Sequence, residues 1–381
     1  MDDNSFKLTD EIISNARKNM NKLVDSIISL KMEELETYEF PQDQPFGLEI
    51  IKNNALFYLI IKFSSTNKNF ICMNPGAFER DRCTSDGELI EPPYFSRWSW
   101  YRYFDESVII TADPMIFRDK DMKIGWMIGE KDQWYVETLS IIIKKLAINQ
   151  NVLADNILFF GSSGGGFISL CLAILTRNSK ILVNNSQLSI PRYSEIFLDK
   201  SLDSVLPTFE GMTKKEIIEQ YSHRLDLIEL IKKEDYAPHI TYYVNAKSNP
   251  DIKKQALPFI REHLAQEQHK ELDVIFYSEE KEKTHNPLPN KETIEIIKSY
   301  AKNNLYNLKP DSEDRIIYGN NYESTLEKTI EKLKKSNEKL KKENKNLNKE
   351  NKNLKNKISE METSHSWKIT KPLRKMNNIR K

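Results

Sequence analysis

The chain has 381 residues, 39% of them apolar and 30% charged, with 57 Lys and Arg against 56 Asp and Glu. That length suits one large domain or two modest ones with a packed core. Three cysteines without CxxC spacing argue against a disulfide framework or a cysteine zinc site, and no run approaches the roughly 18 consecutive apolar residues of a membrane span.

The near-neutral total conceals a polarity. Residues 326–381 carry 18 Lys and Arg against 7 Glu, so an acidic body precedes a basic tail. The opening "MDDNSFKLTDEI" lacks the basic and apolar regions of a secretory signal. A soluble, cytoplasmic protein is expected, with contact at the inner membrane face through the basic end left open. Nucleic acid is not an expected partner.

In chain order, residues 1–44 form an N-terminal segment. Ile12, Ile13, Leu23, Ile27, Ile28 and Leu30 fall at helical spacing and predict one or two amphipathic helices. "LEIIKNNALFYLIIKF" then places two apolar runs around Asn53-Asn54, a hairpin signal. Strands are expected at "NFICM", "SVIITA", "NILFFG" and "KILVNN", with helices at "DQWYVETLSIIIKKLAI" and "GGFISLCLAILT". Residues 188–239 read as a helical, lid-like insertion after this sixth strand. Alternation resumes with "HITYYVN", "DIKKQALPFIREHLAQ", "LDVIFYS" and "NKETIEIIKSYAKN". Strands alternating with helices after a hairpin predict a mostly parallel sheet covered on both faces, over residues 45–307.

A polar linker, 308–322, leads to a heptad array over 323–362. Leu326, Leu333, Leu340, Leu347, Leu354 and Met361 stand seven apart at d, with Ile330, Asn337, Asn344, Asn351 and Ile358 at a. Leu at d with repeated Asn at a predicts a parallel homodimeric coiled coil, against the alternative of a solitary solvated helix. A basic tail, 363–381, ends the chain.

Within "NILFFGSSGGGFISL", Gly161-Ser162-Ser163-Gly164-Gly165 matches G-x-S-x-G centred on Ser163. A nucleophile elbow turns a strand sharply into a helix, exposes the central hydroxyl and points the helix N-terminus at a developing oxyanion. Here a strand enters and a helix leaves, as that motif requires. A phosphate loop would need a lysine after the glycines, and a dinucleotide loop would need an acid where "LVNNSQ" stands. A glycine turn that serves only packing is the remaining alternative.

A serine hydroxyl needs a base, and the base needs an orienting acid, in the chain order Ser, Asp or Glu, His of the α/β-hydrolase fold. His285, in "SEEKEKTHNPLPN", follows the last predicted strand of the body and precedes its last helix. His223, His239, His263, His269 and His365 fall elsewhere. Asp251 is the first carboxylate after "HITYYVN", although it could instead begin the next helix. Asp235 and Asp273 are less well placed. The oxyanion donors expected are the Gly164 N–H together with Gly76 or Ala77 in the turn after "NFICM", since Pro75 has no N–H. Arg97, Trp98 and Trp100 form a cationic and aromatic cluster suited to a sugar or an anion, or to core packing.

The stretches "NPGAF", "FSRWSW", "TADPM", "GWMIGEKDQWY", "ILFFGSSGGGF" and "LVNNSQ" carry a family likeness. Over about residues 45–305 the body resembles α/β-hydrolase-fold enzymes of bacterial capsule and surface-glycan loci. These include capsule polysaccharide O-acetyltransferases and the acetyltransferase component of accessory secretion systems. The resemblance implies a Ser-Asp-His triad, acetyl-CoA as donor with no bound cofactor or metal, and a glycan acceptor. Such sequences place the acid about three residues after an Asn matching Asn245. Here that position is Ser248, and Asp251 comes three later. "SHSWKITKPLRKM" looks like a tail found on glycosyltransferases and other polysaccharide-assembly proteins, which suggests docking on a membrane or an assembly partner. Three functions follow as expectations: O-acyl transfer through an acyl-Ser163 intermediate, ester hydrolysis by the same residues, or a non-catalytic coiled-coil scaffold.

Overall fold

The computed structural model describes residues 6–83, 87, 89–266, 272–279 and 285–302, with 353, 355 and 356. The chain divides into two compact units, Met1–Lys309 and Pro310–Lys381. The linker, the heptad array (three positions apart) and the basic tail lie outside the described residues.

Helix α1 (Asp10–Met20) and strand β1 (Ile27–Ser29) precede the hairpin of β2 (Pro45–Lys52) and β3 (Ala55–Lys62). Then come β4 (Phe70–Met73), β5 (Ser107–Thr111), α2 (Tyr135–Asn149), β6 (Ile157–Ser163), α3 (Gly164–Thr176) and β7 (Lys180–Ser186). The expected insertion is helical, with α4 (Ile190–Tyr193), α5 (Glu195–Asp203), α6 (Lys214–Gln220) and α7 (Leu227–Glu234). Strand β8 (Ile240–Asn245), helix α8 (Leu257–Leu264), strand β9 (Leu272–Tyr277) and helix α9 (Asn290–Lys302) complete the described body.

The strands form one sheet in the order β1-β2-β3-β5-β4-β6-β7-β8-β9. The pairs β2–β3 and β3–β5 are antiparallel, and the others are parallel. Burial follows the two-residue period of a strand. In β3, Phe57, Leu59 and Ile61 join the core beneath α2, α3 and the insertion, whereas Leu56, Tyr58 and Ile60 join the core beneath α1 and α9. Both faces of the sheet are therefore covered, so its middle strands are apolar throughout. Among the described residues no helix is long and apolar enough to cross a membrane.

The first segment departs from expectation. Only Asp10–Met20 is α-helical, and Ile27–Ser29 is a strand, with Ile27 opposite Gly47. A Cβ at Gly47 would stand 2.7 Å from the Met20 methyl, so the end of α1 packs closely on the sheet at that glycine. Once that contact exists, β-branched Ile27 and Ile28 gain more from edge pairing than from another helical turn. The added strand also means that the insertion follows the seventh strand rather than the sixth.

Helix α1 is tied down by a buried acid. Glu49 is fully buried and accepts hydrogen bonds from Arg17 (2.6 and 2.8 Å), Ser29 Oγ (2.8 Å) and the Tyr58 hydroxyl. Burial alone would raise this carboxyl, but these bonds, Arg17 foremost, together hold it below the usual carboxylate range. A carboxyl lowered by folding contributes stability above its unfolded value and loses it as pH falls through the folded one. The urea midpoint of the wild type should therefore drop below about pH 4. Glu49→Gln should be less stable at pH 7, by about 2 kcal/mol, with a flatter acid limb.

Candidate active site

The site lies at the C-terminal ends of β6, β7 and β8, where α/β sheets place their ligand sites. Strand β6 ends at Ser163, whose φ of 54° and ψ of −129° are strained for a residue with a side chain. The glycines around it are required by contact. A Cβ at Gly161 would stand 2.1 Å from the Gly165 carbonyl oxygen, and one at Gly165 would stand 2.5 Å from the Asn74 carbonyl oxygen. Strand, helix and the 74–77 turn thus meet at backbone distance, and the Ser163 side chain is left partly exposed at their junction.

The structure brings Ser163, His285 and Asp251 together. His285 Nε2 is 2.8 Å from Ser163 Oγ, and its Nδ1 is 2.8 and 2.9 Å from the two Asp251 carboxylate oxygens. Asp251 is buried, while the imidazole is one-third exposed. With Nδ1–H donating to the carboxylate, Nε2 is left to accept the serine proton.

The acid arrives by an unexpected route. The chain turns helically from Ser248, whose carbonyl accepts from the Ile252 N–H, and Asp251 opens a π-helical turn, Asp251–Ala256. Residues three apart share a side of such a turn. Ser248 Oγ donates to Asp251 Oδ2 at 2.6 Å, so the residue at the relatives' acid position supports the acid one turn on. The competing carboxylates are elsewhere: Asp273 pairs with His239, and Asp235 caps α7. His223 packs edge-on to Trp134, and His263 stacks on Phe259. His269 and His365 lie outside the described residues.

Gly164 opens α3, so its N–H belongs to the unpaired first turn of that helix. Gly76 approaches the elbow, since a Cβ there would lie 3.5 Å from the Ser162 carbonyl oxygen. Its N–H donates to Ser96 Oγ at 3.2 Å, whereas the exposed Ala77 has an N–H bonded to no described residue. Of the two residues expected in this turn, Ala77 is the one whose N–H has no acceptor among the described residues.

The aromatic cluster divides. Trp100 is buried in the core on the α1 and α9 side, with the Arg97 guanidinium over its ring at 5.1 Å. Trp98 is half-buried beneath Arg102. Arg97 Nη2 donates to Ser162 Oγ at 2.7 Å, next to the elbow serine.

Polar residues at and just beyond the end of β7 belong to no motif, yet they reach Ser163 and the loop of His285. Gln187 Nε2 lies 3.2 Å from Ser163 Oγ, and the Gln187 backbone N–H donates to the Ser163 carbonyl at 3.1 Å. Its Oε1 accepts from the Trp126 indole. Because an indole N–H only donates, the amide is oriented with its NH2 towards the serine. Trp126 sits in a loop held by buried Asp113, which accepts from the Met115, Gly125 and Met127 N–H groups. Burial pushes the Asp113 carboxyl up to about 6 despite those donors. Asn185, fully buried at φ 44°, donates to the His285 and Asn286 carbonyls (3.1 and 2.9 Å) and accepts from the Asn245 N–H. Asn184 Oδ1 accepts from the Leu288 N–H at 2.7 Å. A run of four buried polar residues ending an apolar strand was the available signal, because such a run is costly unless each group is bonded.

No protein-family model and no curated protein matches the sequence. Among solved structures, the capsule O-acetyltransferase of Neisseria meningitidis serogroup A is similar to this chain at 16% identity and a TM-score of 0.50, covering 71% of this chain and 99% of that one. A mutant of that enzyme in complex with CoA is similar at 14% identity and a TM-score of 0.51, covering 71% of this chain and all of the other. With the sheet order, the elbow and these likenesses together, the body has the α/β-hydrolase fold.

Proposed function

We propose that this protein is a serine O-acyltransferase acting on a surface glycan, with acetyl-CoA as donor. The observation that carries the reading is the unbroken hydrogen-bonded chain from Asp251 through His285 to Ser163. Ser163 Oγ attacks the thioester carbonyl as His285 Nε2 takes its proton, and the C–S bond breaks with the proton passing to the thiolate. His285 then removes the proton from an acceptor hydroxyl, whose oxygen attacks acyl-Ser163; the ester bond to Ser163 breaks and the proton returns from His285 to Ser163 Oγ. The N–H groups of Gly164 and Ala77 face the oxyanion of each addition. Likeness to a capsule O-acetyltransferase, one form of which was solved with CoA, supports transfer over hydrolysis. The heptad array would pair two copies in parallel, and the basic tail would bring them to a membrane or an assembly partner.

A fluorophosphonate probe tests the nucleophile, with labelling of the wild type expected and of Ser163→Ala not. Release of CoA from acetyl-CoA, followed with a thiol reagent, should rise when capsular polysaccharide is added. Equal release with and without polysaccharide, and no acetylated product, would replace transfer by hydrolysis. Absence of labelling would overturn both.

In this reading the Gln187 amide stabilises negative charge on Ser163 Oγ as the serine leaves or is released. Gln187→Ala should lower kcat about 10- to 100-fold, the worth of a hydrogen bond to a charged group, and Gln187→Glu should not restore it. Steady-state hydrolysis of p-nitrophenyl acetate measures this.

A further inference from the structure

Arg97 has no carboxylate partner among the described residues. Arg118 is paired with Glu130, while Arg80 and Arg224 spend most of their donors on main-chain carbonyls, those of Ile116, Asp119 and Lys120 and those of Ile128, Glu130 and Lys131. Arg97 is held instead between the rings of Trp100 and Phe160, each 5.1 Å from its guanidinium carbon, with one donor on Ser162 Oγ. The remaining N–H groups of its five-donor fork have no described protein acceptor. Its φ of 64° is left-handed, a cost for a residue with a long side chain. The residue is half-buried, and desolvation pushes its guanidinium down to about 10, with no neighbouring charge opposing it.

A partly desolvated cation with no counter-charge beside it favours a ligand that supplies one. The fork matches a carboxylate or a phosphate with two parallel hydrogen bonds. Ser162, which it touches, precedes the nucleophile, and Ser96, the residue before Arg97, accepts from the Gly76 N–H in the turn beside the elbow. A thioester donor carries its phosphates at the far end of the pantetheine arm, remote from the reacting carbonyl. The anion at Arg97 must therefore come from the molecule that meets Ser163 directly.

We propose that Arg97 is an anion subsite flanking the elbow, and that the acceptor is a glycan unit bearing a carboxylate or phosphate close to the hydroxyl that is acylated. This rests on the reading of Ser163 as the nucleophile. The ring of Trp100 against the guanidinium offers an optical reporter that needs no turnover.

The test is titration of the full chain with glucuronate, glucose 6-phosphate, glucose and CoA, followed by tryptophan fluorescence. A saturable response to glucuronate or glucose 6-phosphate, none to glucose, and at least tenfold weaker binding in Arg97→Met are expected. Arg97→Lys, which keeps the charge and guards against loss of fold, should weaken binding severalfold. No response to either sugar anion, or one that survives both substitutions, would overturn the proposal. So would an Arg97-dependent response to CoA alone, which would assign the anion to the donor. The same titration in Ser163→Ala should match the wild type, so failed labelling at Ser163 and failed anion binding are separate results.

Discussion

Ser163→Ala is expected to lower turnover of p-nitrophenyl acetate by about 10⁴- to 10⁶-fold, the scale on which a triad nucleophile acts. The cause is chemical, because the Cβ remains and only the oxygen bonded to His285 and Gln187 is lost. The folded state should gain slightly or stay unchanged, since the strained backbone at φ 54° belongs to the residue's position rather than to its hydroxyl. Burst kinetics should vanish with turnover. Wild-type rates in this variant would remove Ser163 from the chemistry.

Asp251→Asn should cost about 10³- to 10⁴-fold in kcat with little change in KM. An amide at this position offers an N–H to His285 Nδ1, so the imidazole must turn over its protons and Nε2 no longer accepts from the serine. Ser248 Oγ stays within reach of the remaining oxygen, so the loop should hold its shape. Wild-type turnover would show that the acid is misassigned. A comparable loss in Ser248→Ala, without loss of stability, would shift the orienting role onto the serine.

The elbow was legible because its requirements are local. Gly161 and Gly165 must lack side chains where backbones touch, and a strand must enter where a helix leaves. His285 was legible by elimination, since few histidines stand after the last strand of the body. Asp251 was legible only as the first carboxylate in its loop, and the two readings of it do not exclude each other: the residue opens a π-helical turn and bonds His285 at once. Strand β1 was misread as helix because three residues carry too little pattern to separate a period of 2 from one of 3.6.

Taken alone, the amino-acid order determined what depends on neighbours along the chain: the alternation of strands and helices, the β2–β3 hairpin, and the glycine elbow with the serine at its centre. Tertiary structure alone decided what depends on groups far apart in sequence. Gln187 reaches Ser163 because the Trp126 indole fixes its amide, Asn185 clamps the loop of His285 from a neighbouring strand, and Asp251 meets His285 across 34 positions of sequence. Arg97 belongs to the same class. Its charge is evident in the sequence, but that no described carboxylate lies beside it is a property of the packed sheet. Hydrogen bonds to buried groups are short-ranged and directional, so only the assembled fold shows which of them are made.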